Sequence, residues 1–151
     1  MKSTARAVVI GGGVVGVSTL YHLAKMGWSD VVLLERKELT SGSTWHAAGL
    51  LPLFNLSYSV GKLHQYSVGL YPTLEEETGL HAGFSQVTNI RLATTKDRMD
   101  EYNYYAGVAR TIGVDVNFLS PDDVKDIWPL ADMDGVIGAI QHPDDGYIQP
   151  A

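Results

Sequence analysis

Gly11, Gly13 and Gly16 form a G-x-G-x-x-G pattern, and Glu35 follows at close to the ~20-residue spacing of a ribose-binding acid. Gly11 permits a tight turn. Gly13 has no side chain, so a pyrophosphate can approach the backbone, and Gly16 lets a helix pack closely on strands. A carboxylate at Glu35 accepts hydrogen bonds from both ribose hydroxyls and repels a 2′-phosphate, which disfavours NADP. Thr40, Ser41, Gly42, Ser43 and Thr44 then supply small hydroxylated side chains and backbone donors. Trp45 and His46 stand beside the small residues Ala47, Ala48 and Gly49, a composition suited to close approach of a flat ligand. Taken by itself, His46 reads as a loop histidine satisfied by a backbone carbonyl, and Trp45 as packing.

These residues need a strand, a turn, a helix and a second strand to position them, and the sequence supplies all four. Residues 5–10 read ARAVVI, a β-branched run suited to burial on both faces. Val14, Val17, Leu20, Tyr21 and Ala24 recur at the helical period, and Gly27 follows as a C-terminal cap. Val31, Val32, Leu33 and Leu34 form a second buried strand ending at Glu35. The helix N-terminus offers free N–H groups and partial positive charge to a phosphate. This pattern reads as a dinucleotide-binding βαβ unit. The glycines do not choose between FAD and NAD, and an adenosyl-binding methyltransferase competes.

Composition narrows the class further. The 151 residues carry a formal charge of −6, which argues against a non-specific nucleic-acid binder. There is no cysteine, hence no disulfide, thiolate metal site or cysteine nucleophile. No apolar run approaches the ~20 residues of a membrane span, and His64 and His81 lack a second ligand at metal spacing. The short stretch ahead of the first strand leaves no room for a targeting segment, which reads as a bacterial, cytoplasmic protein.

Beyond residue 50 the sequence reads as scaffold. A helix spans 57–78, weakened by Gly61 and Gly69 and kinked or broken at Pro72. Residues 89–95 alternate as a half-buried strand, with Arg91 on its solvated face rather than on a substrate carboxylate. A helix opened by Thr95 or Asp97 runs to about Ile112 and packs through Tyr102, Tyr104 and Tyr105. A strand at 114–119, a helix started by Ser120-Pro121-Asp122-Asp123, a strand at 136–141 and a turn at 142–146 complete the chain.

Gly11-Gly-Gly-Val-Val-Gly16, Glu35-Arg36 and Leu39-Thr-Ser-Gly-Ser-Thr-Trp-His-Ala-Ala-Gly-Leu50 together resemble the amine-oxidising FAD enzymes of the D-amino-acid oxidase superfamily. Within that group the resemblance is to the dimethylglycine and sarcosine dehydrogenase family. Leu74-Glu-Glu-Glu-Thr-Gly79, Leu119-Ser-Pro, Ile127-Trp-Pro-Leu130 and Pro143-Asp-Asp-Gly-Tyr147 extend it along the chain. The implied fold is α/β: a Rossmann-like FAD-binding βαβ half over 1–50, followed by an α+β part of a substrate domain over 51–151. Breaking off within the substrate domain, the chain reads as truncated. It then depends on the remainder of the polypeptide or a complementing chain. The implied activity is demethylation of an N-methylated amino acid, with hydride passing to flavin N5. The alternatives are a non-catalytic homologue like the regulatory subunit of pyruvate dehydrogenase phosphatase, and an NAD-binding dehydrogenase fragment.

The resemblance also implies residue roles. Val14 and Val15 contact the pyrophosphate region through their backbone, and Glu35 and Arg36 surround the adenosine. Gly42, Ser43, Thr44, Trp45, His46, Ala47, Ala48, Gly49 and Leu50 run along the cofactor, with His46 bonded to the flavin 8α carbon. Catalytic residues and a tetrahydrofolate region fall outside this chain. Gln149 stands where the family pattern usually has Asp, which puts any role of that acid in doubt.

Overall fold

The computed structural model describes residues 3–150, which form two compact units: residues 3–48 with Pro150, and Gly49–Gln149. In the first, β1 (Ala7–Ile10) and β2 (Val31–Leu34) pair in parallel, Ala7 opposite Val31 and Ile10 opposite Leu34. Helix α1 (Val14–Lys25) connects them as the crossover that a parallel pair requires. The helix stops in a Schellman motif. Gly27 takes φ +84°, its N–H donates to Ala24 O, and the Trp28 N–H reaches back to Leu23 O.

This unit has little core of its own. Gly12 is its only buried residue among those described, and α1 buries none. The sequence reads β1 and β2 as buried on both faces, but Val8, Ile10 and Leu34 are exposed. An apolar run records what a strand is suited to bury, whereas within this unit α1 packs on these strands and leaves part of them uncovered.

The second unit carries the core. Strands β5 (Asn89–Ala93), β7 (Gly138–His142) and β6 (Asn117–Leu119) form an antiparallel sheet in the order β5-β7-β6. Strands β3 (Leu50–Leu51), β8 (Gly146–Ile148) and β4 (Phe84–Gln86) form a second, in the order β3-β8-β4. Helix α3 (Lys96–Ile112) buries Tyr102, Tyr105, Ala109 and Ile112, one face at three- and four-residue spacing. These pack with Leu53, Ala93, Val114 and Ile140. The Thr95 side chain caps α3 by accepting the Arg98 N–H. In α4 (Pro121–Ile127) Ser120 and Asp123 form a reciprocal capping box, and the Ser120 hydroxyl and amide hold the Asp123 carboxyl below its ordinary pKa.

Several expectations need correction. Helix α2 (Tyr58–Thr78) continues through Pro72 without a break. Gly61 marks a close approach to α3, since a Cβ there would lie 2.5 Å from Ile112 Cδ1. The strand expected at 114–119 begins only at Asn117. Val114 lies just past the end of α3, its N–H donating back to Ala109 O. Tyr104 is exposed rather than packed. Arg91 is half-buried, its guanidinium 4.3 Å from the centre of the Phe54 ring, not on a solvated face.

Ile140→Ala empties a fully buried position and is expected to cost about 2–5 kcal/mol. Leu130→Ala, at a side chain 93% exposed, should stay within about 0.5 kcal/mol. Urea denaturation of the purified protein checks both.

Candidate cofactor-binding site

The glycine turn leaves β1 at Gly11, whose φ of +108° suits glycine and whose N–H donates to Leu34 O at 2.8 Å. A Cβ on Gly16 would lie 1.9 Å from Gly11 O, so α1 can sit this close to the turn only with glycine there. These are the roles the pattern assigns to Gly11 and Gly16. Gly12, which the pattern leaves free, turns out to be the junction of the unit. Its N–H donates to Glu35 Oε2 at 2.7 Å, and its carbonyl accepts the Thr40 N–H at 2.9 Å. A Cβ on Gly12 would lie 2.6 Å from Leu39 Cδ2 and 3.1 Å from Glu35 Cβ. One residue thus links the turn to the acid after β2 and to the Ser/Thr-rich segment. A run of three glycines was the only sequence signal for it.

Glu35 accepts a second amide, from Lys37, on Oε1 at 2.8 Å. The Gly12 and Lys37 amides hold its carboxyl below the ordinary value of 4.5, so it is ionised at neutral pH. A carboxylate has about four lone-pair sites, so capacity remains for ribose hydroxyls. Arg36 is exposed next to it and favours the charged form.

The space beside Gly13 is shared. A Cβ there would meet Thr44 Oγ1 at 3.1 Å, and that hydroxyl accepts the Val14 N–H at 3.0 Å. Thr44 therefore caps α1 from thirty residues away, a contact no local pattern reveals. Val14 is thus already supplied with an acceptor. The Val15 and Gly16 amides precede the first helical bond, which Val17 N–H makes to Gly13 O. They remain as the donors of the helix N-terminus. Glycines without side chains, two N-terminal amides and an ionised acid fit a dinucleotide diphosphate and its ribose.

Residues 38–47 fold on themselves. Thr40 adopts φ +64°, Ser41 N–H donates to Glu38 O, and a single 3-10 turn spans Thr44–His46 behind Ser43. His46 is exposed, and its Nδ1 lies 3.0 Å from Gly42 O. A carbonyl only accepts, so Nδ1 is the donor and Nε2 takes no part in this contact. The Trp45 ring lies against the imidazole, centroids 3.9 Å apart. Ala47 and Ala48 follow as exposed residues. Gly49 and Leu50 belong to the second unit, where Gly49 O accepts the Ile148 N–H and Leu50 pairs with Tyr147. Among the described residues no group of three His, Asp or Glu could hold a metal, and no helix is long and apolar enough to cross a membrane.

The chain belongs to the family of FAD dependent oxidoreductases, which matches residues 6–151. It is 47% identical over 149 residues to the mitochondrial dimethylglycine dehydrogenase of Rattus norvegicus, covering 99% of this chain and 17% of the relative. It is 45% identical over 152 residues to the mitochondrial sarcosine dehydrogenase of Homo sapiens, covering 100% and 17%. The solved L-proline dehydrogenase of P. horikoshii superposes with a TM-score of 0.90 at 29% identity, covering 99% of this chain and 39% of that one. The chain thus spans about a sixth of the length of the curated relatives it matches. The expectation of a bacterial cytoplasmic protein is overturned, because these dehydrogenases are mitochondrial proteins. That expectation rested on the residues ahead of the first strand, which carry no weight in a chain covering so small a share of its relatives.

Gly16→Ala must open the turn and is expected to cost at least about 2 kcal/mol. Thr44→Val removes the acceptor for the Val14 N–H and should cost about 1 kcal/mol. Thermal melting checks both. Because the Glu35 pKa is lowered on folding, its contribution is present above 4.5 and lost as pH falls through the folded value. Glu35→Gln should therefore flatten the acid limb of a melting-temperature profile.

Proposed function

We propose that this chain is the cofactor-binding part of an FAD-dependent enzyme that oxidises an N-methylated amino acid such as dimethylglycine or sarcosine. The observation that carries this reading is the first unit's turn: a glycine bend, free amides at Val15 and Gly16, and an ionised Glu35 tied to Gly12. The family match supports FAD over a nicotinamide cofactor. The likeness to enzymes named for dimethylglycine and sarcosine supports the substrate class. When bound, the flavin accepts a hydride from the substrate carbon at N5.

The residues here bind and orient. The Val15 and Gly16 amides, with the partial positive charge of the α1 N-terminus, hold the diphosphate. Val14 joins them if the Thr44 hydroxyl gives way. Glu35 takes the ribose hydroxyls, and Arg36 lies beside the adenosine. Residues from Gly42 to Leu50 run along the cofactor. His46 is the attachment point. With Nδ1 turned to Gly42 O, Nε2 is the nitrogen left for the bond with the flavin 8α carbon. The catalytic groups, and any tetrahydrofolate site that takes up the released carbon, lie outside these residues. We assign residues 1–50 to the FAD-binding domain and 51–151 to the start of the substrate domain.

Denaturing electrophoresis of the full-length protein tests this reading. Flavin fluorescence is expected to migrate with the polypeptide. His46→Ala should release the flavin on denaturation while the folded variant still binds FAD. A folded full-length protein without flavin or turnover of either amine would instead be a regulatory homologue.

A further inference from the structure

The second unit buries a group of polar side chains for which the proposed function has no use. Asn89 and His142 are direct cross-strand partners on β5 and β7, and Arg91 opposite Ile140 lies on the same face two residues on. His142 is fully buried and Asp145, in the turn after β7, is 2% exposed. Part of the group is well satisfied. Asp145 Oδ1 accepts the Leu53 N–H at 2.8 Å, Tyr105 OH donates to Leu53 O at 3.2 Å, and His142 Nε2 lies 3.0 Å from Tyr105 OH. The remainder is not. Asn89 Oδ1, Arg91 Nε, His142 Nδ1 and Asp145 Oδ2 are all buried without a partner among the described residues.

Such a set is costly to leave dry. Because the Tyr105 hydroxyl donates to Leu53 O, His142 Nε2 donates to it and Nδ1 is left as an acceptor, so the set comprises three acceptors and one donor. A bound cation would face the guanidinium, and a bound anion the carboxylate. Water alone donates and accepts, and buried waters typically make about three hydrogen bonds to groups of this kind. Phe54 closes the group with an apolar wall. Its ring centre lies 4.3 Å from the Arg91 guanidinium, 4.1 Å from the Tyr105 ring and 6.0 Å from the His142 ring. We propose that Asn89, Arg91, His142 and Asp145 enclose buried water, through which Arg91 acts as the counter-ion of Asp145. Arg91 is then spent on the protein's own carboxylate and does not recognise that of a substrate.

The electrostatics agree. The charged or titratable groups that act on Asp145 are Arg91 of β5, the neighbouring Asp144 and His64 of α2, and Tyr105 of α3 feels the Asp145 charge. Burial pushes Asp145 up to about 6, and Arg91 pulls it back down. A carboxyl raised on folding is most favourable to the fold while protonated, and that contribution is lost as pH rises through about 6.

A double-substitution cycle in the full-length, flavin-loaded protein tests the inference, using Arg91→Met and Asp145→Asn. Asn at 145 keeps an acceptor for the Leu53 N–H while removing the charge. The melting-temperature loss of the double variant is expected to be smaller than the sum of the two single losses, and additive losses would overturn the proposal. If Asp145→Asn does not fold, Arg91→Met alone decides. Its inflection in melting temperature against pH should move above that of the parent, and an unmoved inflection rejects the counter-ion. A high-resolution crystal structure should show ordered water within reach of the four atoms. A dry site, or Arg91→Met that raises KM for an amino-acid substrate without moving the melting temperature, also rejects it.

Discussion

Gly12 ties the first unit together through the two peptide groups that flank it. Its N–H holds the Glu35 carboxylate and its carbonyl holds the Thr40 amide, while the Leu39 and Glu35 side chains crowd the place of a Cβ. Removing either bond would free the acid from the turn or release the segment that carries Thr44 and His46. The constraint at Gly16 is stricter, since there a backbone carbonyl of the turn occupies the place of a Cβ. Backbone amides and carbonyls, held by the Glu35 and Thr44 side chains, set the geometry of this site. That suits a cradle for phosphate, whose natural ligands are amides.

The two units are stabilised differently. The second has a conventional apolar centre in which the α3 stripe meets Ala93, Ile140 and Leu53. The first has half-covered strands and a helix with no buried residue. Its order rests on hydrogen bonds to glycine peptides and on caps such as Thr44 at α1, each worth only about a kcal/mol. Units of this kind open locally at low cost. A bound dinucleotide that satisfies the remaining amides would stabilise this unit by mass action, so cofactor loading and folding of the cradle are linked.

The buried polar group of the second unit has a structural consequence too. Asp145 and Tyr105 grip both ends of the Leu53 main chain from different elements, the turn after β7 and helix α3. The Asp145 carbonyl also accepts the Val87 and Thr88 amides. Sequence-distant segments are thus registered on one turn by polar contacts that an apolar substitute could not direct.

Much of the first unit was legible because its physics is local. The period of α1, the Val-rich strands, the glycine at each end of the helix and the acid after β2 all lie within a short span. The capping residues Thr95 and Ser120 were readable for the same reason. The imidazole–carbonyl contact of His46, one helical turn apart, was also open to a local reading. Tertiary structure decided whatever depended on distant residues meeting. It made Gly12 the junction, sent Thr44 to the N-terminus of α1, and paired β3 and β4 with β8, strands too short for alternation to register. It also turned Arg91 from solvent toward Phe54, and it buried His142 and Asp145. Local sequence shows what each segment can bury or bond, but the partner comes from elsewhere in the chain and is fixed only when the fold brings the two together.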